Sequence, residues 1–278
     1  NDHINLVICN LNLGRFYRLS AHINIFHDHK VGKSLKMQKK FYQQSFDSYR
    51  KALDILVEKK MKGIDLYEIV LWEYSTAVFN LAREMQDGIS VEHSKEDAER
   101  EVLDMLMKAL QLCDLDTHNS SRQVLYIFRA GLIHQKIASL HHQSLRMLSD
   151  EYKRKSFLQL SRLHYEKSAK LLESLKEHKE FLKVQMERIA LQEFLAEEAS
   201  SNQMKIKSFT FAISHFIDSR KIIKSLEEIK SLADADEVLQ LLELFEKRIQ
   251  FVLKSLTKLT SMGKKTNEAE NYKKMFAC

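Results

Sequence analysis

Four triplets carry the strongest constraint in this chain: Ser45–Tyr49–Ala52, Val102–Leu106–Ala109, Ser161–Tyr165–Ser168 and Ala212–Phe216–Ser219. Each reads small, bulky, small with gaps of four and three, the steps that keep side chains on one helix face. Their last members lie 57, 59 and 51 residues apart. A helix-spaced pattern that returns at such intervals points to stacked helix pairs rather than to one folded core. Stacks of this kind present extended surfaces to partners.

Little in the chain interrupts such helices. Its 278 residues contain no proline, where average usage would supply roughly fourteen, and only six glycines. Proline breaks a helix interior and glycine weakens it, so both shortages favour long helices. Periodicity predicts helices over about 2–26, 36–61, 66–86, 94–113, 120–147, 151–176, 178–199 and 203–230, and a ninth, capped by Asp234 or Asp236, that reaches Ser261. Lys62-Gly63 is expected to C-cap the second, Asp87-Gly88 to stop the third and Met262-Gly263 to close the last. Ser94-Lys95-Glu96-Asp97 reads as a capping-box variant opening the fourth. No segment alternates with period two for long enough to be a strand. In the last helix Leu239, Leu242, Phe245, Ile249, Val252, Leu256 and Leu259 approach a heptad seam. The broader stripes elsewhere fit antiparallel helix pairs.

The triplets resemble the second helix of the tetratricopeptide repeat, whose pattern there is A-x3-F with another small residue three further on. The first-helix pattern, W-x2-L-G-x2-Y, is echoed by Asn10, Leu13, Gly14 and Tyr17, and by Trp72, Ser75, Thr76 and Phe79. It is fainter in Gly131 with His134, and in Met186, Ile189 and Ala190. In such pairs a small residue lets two helices approach while the bulky one fills the gap between pairs. The family's period is 34 residues, and its second helix usually closes with proline. Here the unit is 17–25 residues longer and proline is absent. The run from Cys9-Asn10-Leu11-Asn12-Leu13-Gly14-Arg15 through Phe41-Tyr42 to Tyr49-Arg50-Lys51-Ala52-Leu53 is also similar to the C-terminal helical region of the erythroid differentiation-related factor 1 family. That resemblance implies a nuclear regulatory setting, intracellular and nuclear rather than cytoplasmic.

Apolar residues make up 44% of the chain, enough for a sizeable core. No apolar run approaches the ~18–20 residues of a membrane span, and the first residues do not read as a signal peptide. The chain starts at Asn1 rather than Met and is expected to be a piece of something longer. Cys9, Cys113 and Cys278 are odd in number and without CxxC spacing, which suits scattered thiols in a reducing compartment. The net charge of +6 is unevenly spread. Residues 1–62 carry 12 Lys/Arg against 5 Asp/Glu, residues 63–120 carry 4 against 13, and residues 121–278 carry 28 against 20. The expectation is a molecule electrically striped along its length.

The chemistry of an enzyme is not written here. Gly32-Lys33-Ser34 matches the end of a phosphate-binding loop, but His27 stands where its first glycine belongs and a helix precedes it. His22, His27, Asp28 and His29 cluster within eight residues and read as solvated loop histidines before they read as a metal site. His141 and His142 are adjacent and point to different sides of a helix. No catalytic residues, metal site or cofactor are expected.

By resemblance, the first helix of each pair lines the concave surface of a tetratricopeptide array. The resemblance places Leu11, Arg15 and Arg18 there in the first repeat, and Glu73, Ala77 and Asn80 in the second. This is a mixed groove for a protein partner, with Arg15, Arg18, Glu73 and Asn80 as its polar residues. The alternative is nucleic-acid binding by the basic run, through Lys33, Lys36, Lys39 and Lys40, at a loop and helix start that phosphate favours. No aromatics interleave there for base stacking, so nucleic acid ranks below a protein partner.

The expected fold is therefore all-α, a right-handed solenoid of long antiparallel helix pairs with a C-terminal capping helix. Its pairs fall at about 1–62, 63–117, 118–177 and 178–232, with a cap at 233–262 and a polar tail at 263–278. The expected action is that of a non-catalytic interaction scaffold.

Overall fold

In the computed structural model of the chain, residues 2–27, 31–88, 95–113, 122–228 and 235–262 are described, with no strand among them. Their helices are α1 (Asp2–His27), α2 (Val31–Glu58), α3 (Asp65–Gly88), α4 (Lys95–Gln111), α5 (Gln123–Leu145), α6 (Glu151–Ser174), α7 (His178–Glu198), α8 (Asn202–Glu228) and α9 (Ala235–Met262). Each expected helix is present. The chain divides into two compact units, Asn1–Leu148 and Ser149–Cys278, and each is described by itself. The boundary lies between α5 and α6, inside the third expected pair.

Within each unit helices pack against their sequence neighbours: α1 on α2, α2 on α3, α3 on α4 and α4 on α5, then α6 on α7, α7 on α8 and α8 on α9. Among the described residues next-but-one contacts join α1 to α3, α3 to α5 and α7 to α9. That pattern defines two classes. In the first unit the A helices α1, α3 and α5 touch in succession, in the second α7 touches α9, and the B helices (α2, α4, α6, α8) bear the triplets.

All twelve triplet residues are buried, none more than 2% exposed. The small members bring backbones together. Ser45 Oγ donates to the Gly14 carbonyl of α1 at 2.8 Å, and Ser75 Oγ of α3 donates to the Ala109 carbonyl of α4 at 3.2 Å. The bulky members fill the space between: Tyr49 meets Tyr74 with ring centroids 5.9 Å apart, and Phe216 meets Phe245 edge-on at 5.1 Å. Burial of such aromatic and aliphatic side chains is the main stabilising term.

Two ends of α2 differ from the sequence reading. It begins at Val31, so Gly32-Lys33-Ser34 lie in its opening turns rather than in a loop. It stops at Glu58, before Gly63, because Lys60 turns the chain with φ 56°. Lys60 N–H bonds the Val57 carbonyl at 3.0 Å and Met61 N–H bonds that of Leu56 at 2.8 Å. This is a Schellman closure with lysine in the left-handed place usually held by glycine. α6 ends alike: Lys176 has φ 59°, its N–H reaches the Glu173 carbonyl at 3.0 Å, and Glu177 N–H reaches that of Leu172 at 3.0 Å. α6 is opened by Asp150, whose carboxylate accepts from the N–H groups of Tyr152 and Lys153. The expected caps at Ser94 and Gly263 lie outside the described residues.

The charge blocks pack face to face rather than as stripes. Arg15, Arg18 and Lys39 of the basic stretch reach Glu73 and Glu101 of the acidic one. His22 lies 3.3 Å from Glu84. Because consecutive repeats touch side by side, opposite blocks one repeat apart neutralise each other.

Candidate functional site

The A-helix face of the first unit assembles most of the residues expected to line a groove. Arg15 Nε donates to Glu73 Oε1 at 2.9 Å, and Arg18 Nη2 donates to Glu73 Oε2 at 2.9 Å. One carboxylate on α3 thus holds two guanidiniums stacked a turn apart on α1. Glu73 is the more enclosed partner, with a side chain 14% exposed against 39% for Arg15 and 18% for Arg18. Arg18 Nε is buried without a hydrogen-bond partner. Asn80 sits half-buried two turns further along α3.

Leu11 and Ala77, placed in the same groove by resemblance, are instead 4% and 0% exposed and belong to the core. The buried side of α1 runs through Val7, Leu11, Gly14 and Ala21, while Leu13 is 43% exposed. The register of the first-helix pattern is therefore displaced in the first repeat, with only its glycine retained.

The next step along the face was not legible as a site. Arg129 of α5 lies with its guanidinium 4.0 Å from the centre of the Trp72 ring, and its Nη1 donates to Thr76 Oγ1 at 2.9 Å. Burial lowers its pKa, and neighbouring Arg18 pushes the same way while Glu73 opposes. Tyr126 OH donates to the Glu68 carbonyl at 2.6 Å. Trp72 and Arg129 are 57 residues apart, the spacing of the triplets, so counting one repeat on from Trp72 finds Arg129. A similar spacing recurs in the second unit, where Arg248 of α9 pairs with Glu193 of α7 at 2.8 Å, 55 residues back.

The basic run is less free than its sequence suggests. Lys39 Nζ reaches both carboxylate oxygens of Glu101, at 3.0 and 2.9 Å, whereas Lys36 and Lys40 are exposed. Lys33 lies in α2, its side chain outside the described residues. Of the histidine cluster, His22 meets Tyr42 OH at 3.3 Å and Glu84 at 3.3 Å; the side chains of His27, Asp28 and His29 lie outside the described residues. Tyr42 OH also donates to Glu84 Oε1 at 3.1 Å, and burial raises the pKa of both groups. Among the described residues no group of His, Cys, Asp and Glu is placed to hold a metal ion, and no helix is long and apolar enough to cross a membrane. Cys9 is exposed and Cys113 buried, each a free thiol.

The family model described as "Erythroid differentiation-related factor 1-like, TPR repeats" matches residues 1–277. The chain belongs to that family. Proteins named Erythroid differentiation-related factor 1 from Pongo abelii and Homo sapiens are each 33% identical to it over 95% of the chain, and that of Mus musculus is 32% identical over 95%. The chain spans about a quarter of the length of these relatives, 24% of the first and 23% of the other two. Tetratricopeptide-type repeats are built for protein interaction rather than catalysis, through the extended surface that stacking creates.

Proposed function

We propose that this chain is a non-catalytic scaffold that holds a segment of a protein partner on the A-helix face of its first unit, within a nuclear gene-regulatory protein. The observation that carries the reading is the charge of that face: two guanidiniums, Arg15 and Arg18, share one carboxylate, Glu73, and a third, Arg129, lies over the neighbouring Trp72 ring. An acidic group on a partner would balance the surplus, and arginine beside an aromatic ring is the residue pairing that dominates many interfaces. Asn80 extends the polar edge of this face. The nuclear setting rests on the family's name and resemblance alone.

The test is affinity capture from nuclear and cytoplasmic extracts with the wild-type chain and with Arg15→Gln/Arg18→Gln, each with and without nuclease. Neutral glutamine avoids placing three carboxylates together. A protein retained by wild type, resistant to nuclease and lost in the double variant supports the scaffold. Loss of all binding on nuclease treatment, reproduced by Lys36→Glu/Lys40→Glu, would instead establish the nucleic-acid alternative.

A further inference from the structure

The second unit has a cleft of about 240 Å³ where α6, α7 and α8 meet, lined by Arg162, Tyr165, Glu166, Arg188, Gln192 and His215 among others. Two features set it apart from an ordinary gap between helices. First, among the described residues Arg162 at its exposed rim and half-buried Arg188 have no carboxylate within ion-pair distance, Asp218 and Glu166 acting on Arg188 only from further off; Arg188 Nη1 donates to the amide of Gln185, at 3.1 Å. Second, buried polar atoms in its wall have no partner. His215 is 9% exposed and Gln192 is 5% exposed, yet among the described residues His215 Nδ1 and Gln192 Oε1 find no hydrogen-bond partner. Buried polar groups are nearly always satisfied, so such orphans at a cleft mark a place where a ligand supplies the partner.

We propose that this cleft is a phosphoryl-binding site, taking a phosphomonoester group between Arg162, Arg188 and His215. The donors come from three helices and so approach from separate directions. A planar carboxylate is satisfied by one bidentate arginine, whereas a tetrahedral phosphoryl group offers three acceptor oxygens and close to two negative charges. His215 can donate from Nδ1, and Gln192 turned by half a rotation about its amide presents N–H groups. Tyr165 OH is engaged by Glu187 at 2.9 Å and closes the wall. Glu166, the one acid in the lining, is drawn to Lys170 at 2.7 Å. The volume is below the ~300–1,000 Å³ of pockets that enclose a drug-sized ligand, so it suits a phosphoryl group with its attached side chain and not a nucleotide. Burial, followed by the nearby Arg188 and Arg162, pushes His215 down to about 4. A bound dianion would reverse that electrostatic balance.

The proposal is independent of the partner-binding reading of the first unit. Its test is calorimetry and thermal shift with inorganic phosphate against chloride at equal ionic strength, alongside polarisation with a capped phosphoserine heptapeptide and its unphosphorylated twin. Saturable binding of phosphate and of the phosphopeptide, without chloride or twin, is expected. Arg188→Gln and Arg162→Gln should each weaken it by about tenfold or more, as loss of a hydrogen bond to a charged group does. Glu166→Gln should tighten it. A phosphopeptide that outcompetes free phosphate identifies a phosphorylated protein as the source; equal affinities identify a small phosphomonoester. Arg162 lies at the rim, so its variant stays informative if changes at Arg188 unfold the unit, as read by circular dichroism. No saturable signal with folded wild type, or binding unchanged in Arg162→Gln, overturns the proposal.

Discussion

A methyl group on Gly14 would sit 2.6 Å from Cε1 of Tyr49, inside any permitted contact. Tyr49 has no exposed surface into which it can retreat, and Ser45 ties the same point of α1 by its bond to the Gly14 carbonyl. Gly14→Ala should therefore destabilise by about 1–3 kcal/mol from overpacking, less the roughly 1 kcal/mol that alanine adds to a helix interior. Gly63 has nothing within 4 Å of its Cβ position and no positive φ. Gly63→Ala should be neutral or stabilising by about 0.4–1 kcal/mol. Urea midpoints that move in opposite directions are the expected result, and a Gly14→Ala chain as stable as wild type would refute the close approach.

Ala109 makes the corresponding contact between α3 and α4. It has no exposed surface, and its carbonyl receives Ser75. Ala109→Leu should cost about 1–3 kcal/mol and lower the melting temperature, and an unchanged melt would contradict the repeat register.

Lys60 and Lys176 hold the left-handed conformation that costs an L-residue roughly 1–2 kcal/mol. Glycine escapes that strain but loses about 0.5–1 kcal/mol of chain entropy on folding. Lys60→Gly and Lys176→Gly are each expected to stabilise by up to about 1 kcal/mol. A lowered denaturation midpoint in both would show that the lysine side chains contribute something the backbone does not.

Glu73 should be the most sensitive member of its cluster. Glu73→Gln strands two arginines and should cost about 1.5–3 kcal/mol, the worth of hydrogen bonds to charged groups. Arg18→Gln should cost less, and Arg15→Gln the least, since its 39% exposed side chain sits near the surface-pair range of ~0–1 kcal/mol. Chemical denaturation of the three variants orders them.

His215 makes the second unit acid-sensitive. Burial holds its imidazole neutral, with a pKa of about 4 against 6.5 when unfolded. Below 6.5 the unfolded chain takes up a proton that the folded chain refuses. Its contribution is thus intact above pH 6.5 and is lost as pH falls toward 4, by about 3 kcal/mol at most. Glu84 and Glu193, both raised by burial, act in the opposite sense as pH rises through their values. The difference between wild type and His215→Gln isolates the histidine: it should shrink from pH 7 to pH 4.5, and a constant difference would refute this origin.

Most of the helical plan was legible because steps of three and four report directly on burial, and the triplets are among the most enclosed residues of the B helices. The site was harder to read. Leu11 and Leu13 are both leucines on one helix, and only packing reveals that the first is inside and the second outside. Arg15, Arg18 and Glu73 were singled out, but not their mutual pairing, because a contact across 55–58 residues leaves no local trace. The cleft around His215 had no motif at all. Within each helix its residues keep the steps of three and four, as in Arg162, Tyr165 and Glu166 or Arg188, Leu191 and Gln192, but nothing local joins the three helices.

The pairing of opposite charge blocks also bears on how the chain is made. Synthesis runs from the N-terminus, so Arg15, Arg18 and Lys39 leave the ribosome well before Glu73 and Glu101. During that interval the first hairpin carries its cations without their counterparts, and each acidic helix that follows arrives as a docking partner with its destination already charged. Once residues 1–62 have emerged from the ribosome they present a cationic hairpin, and once the chain as far as residue 113 has followed, the nascent unit is neutralised.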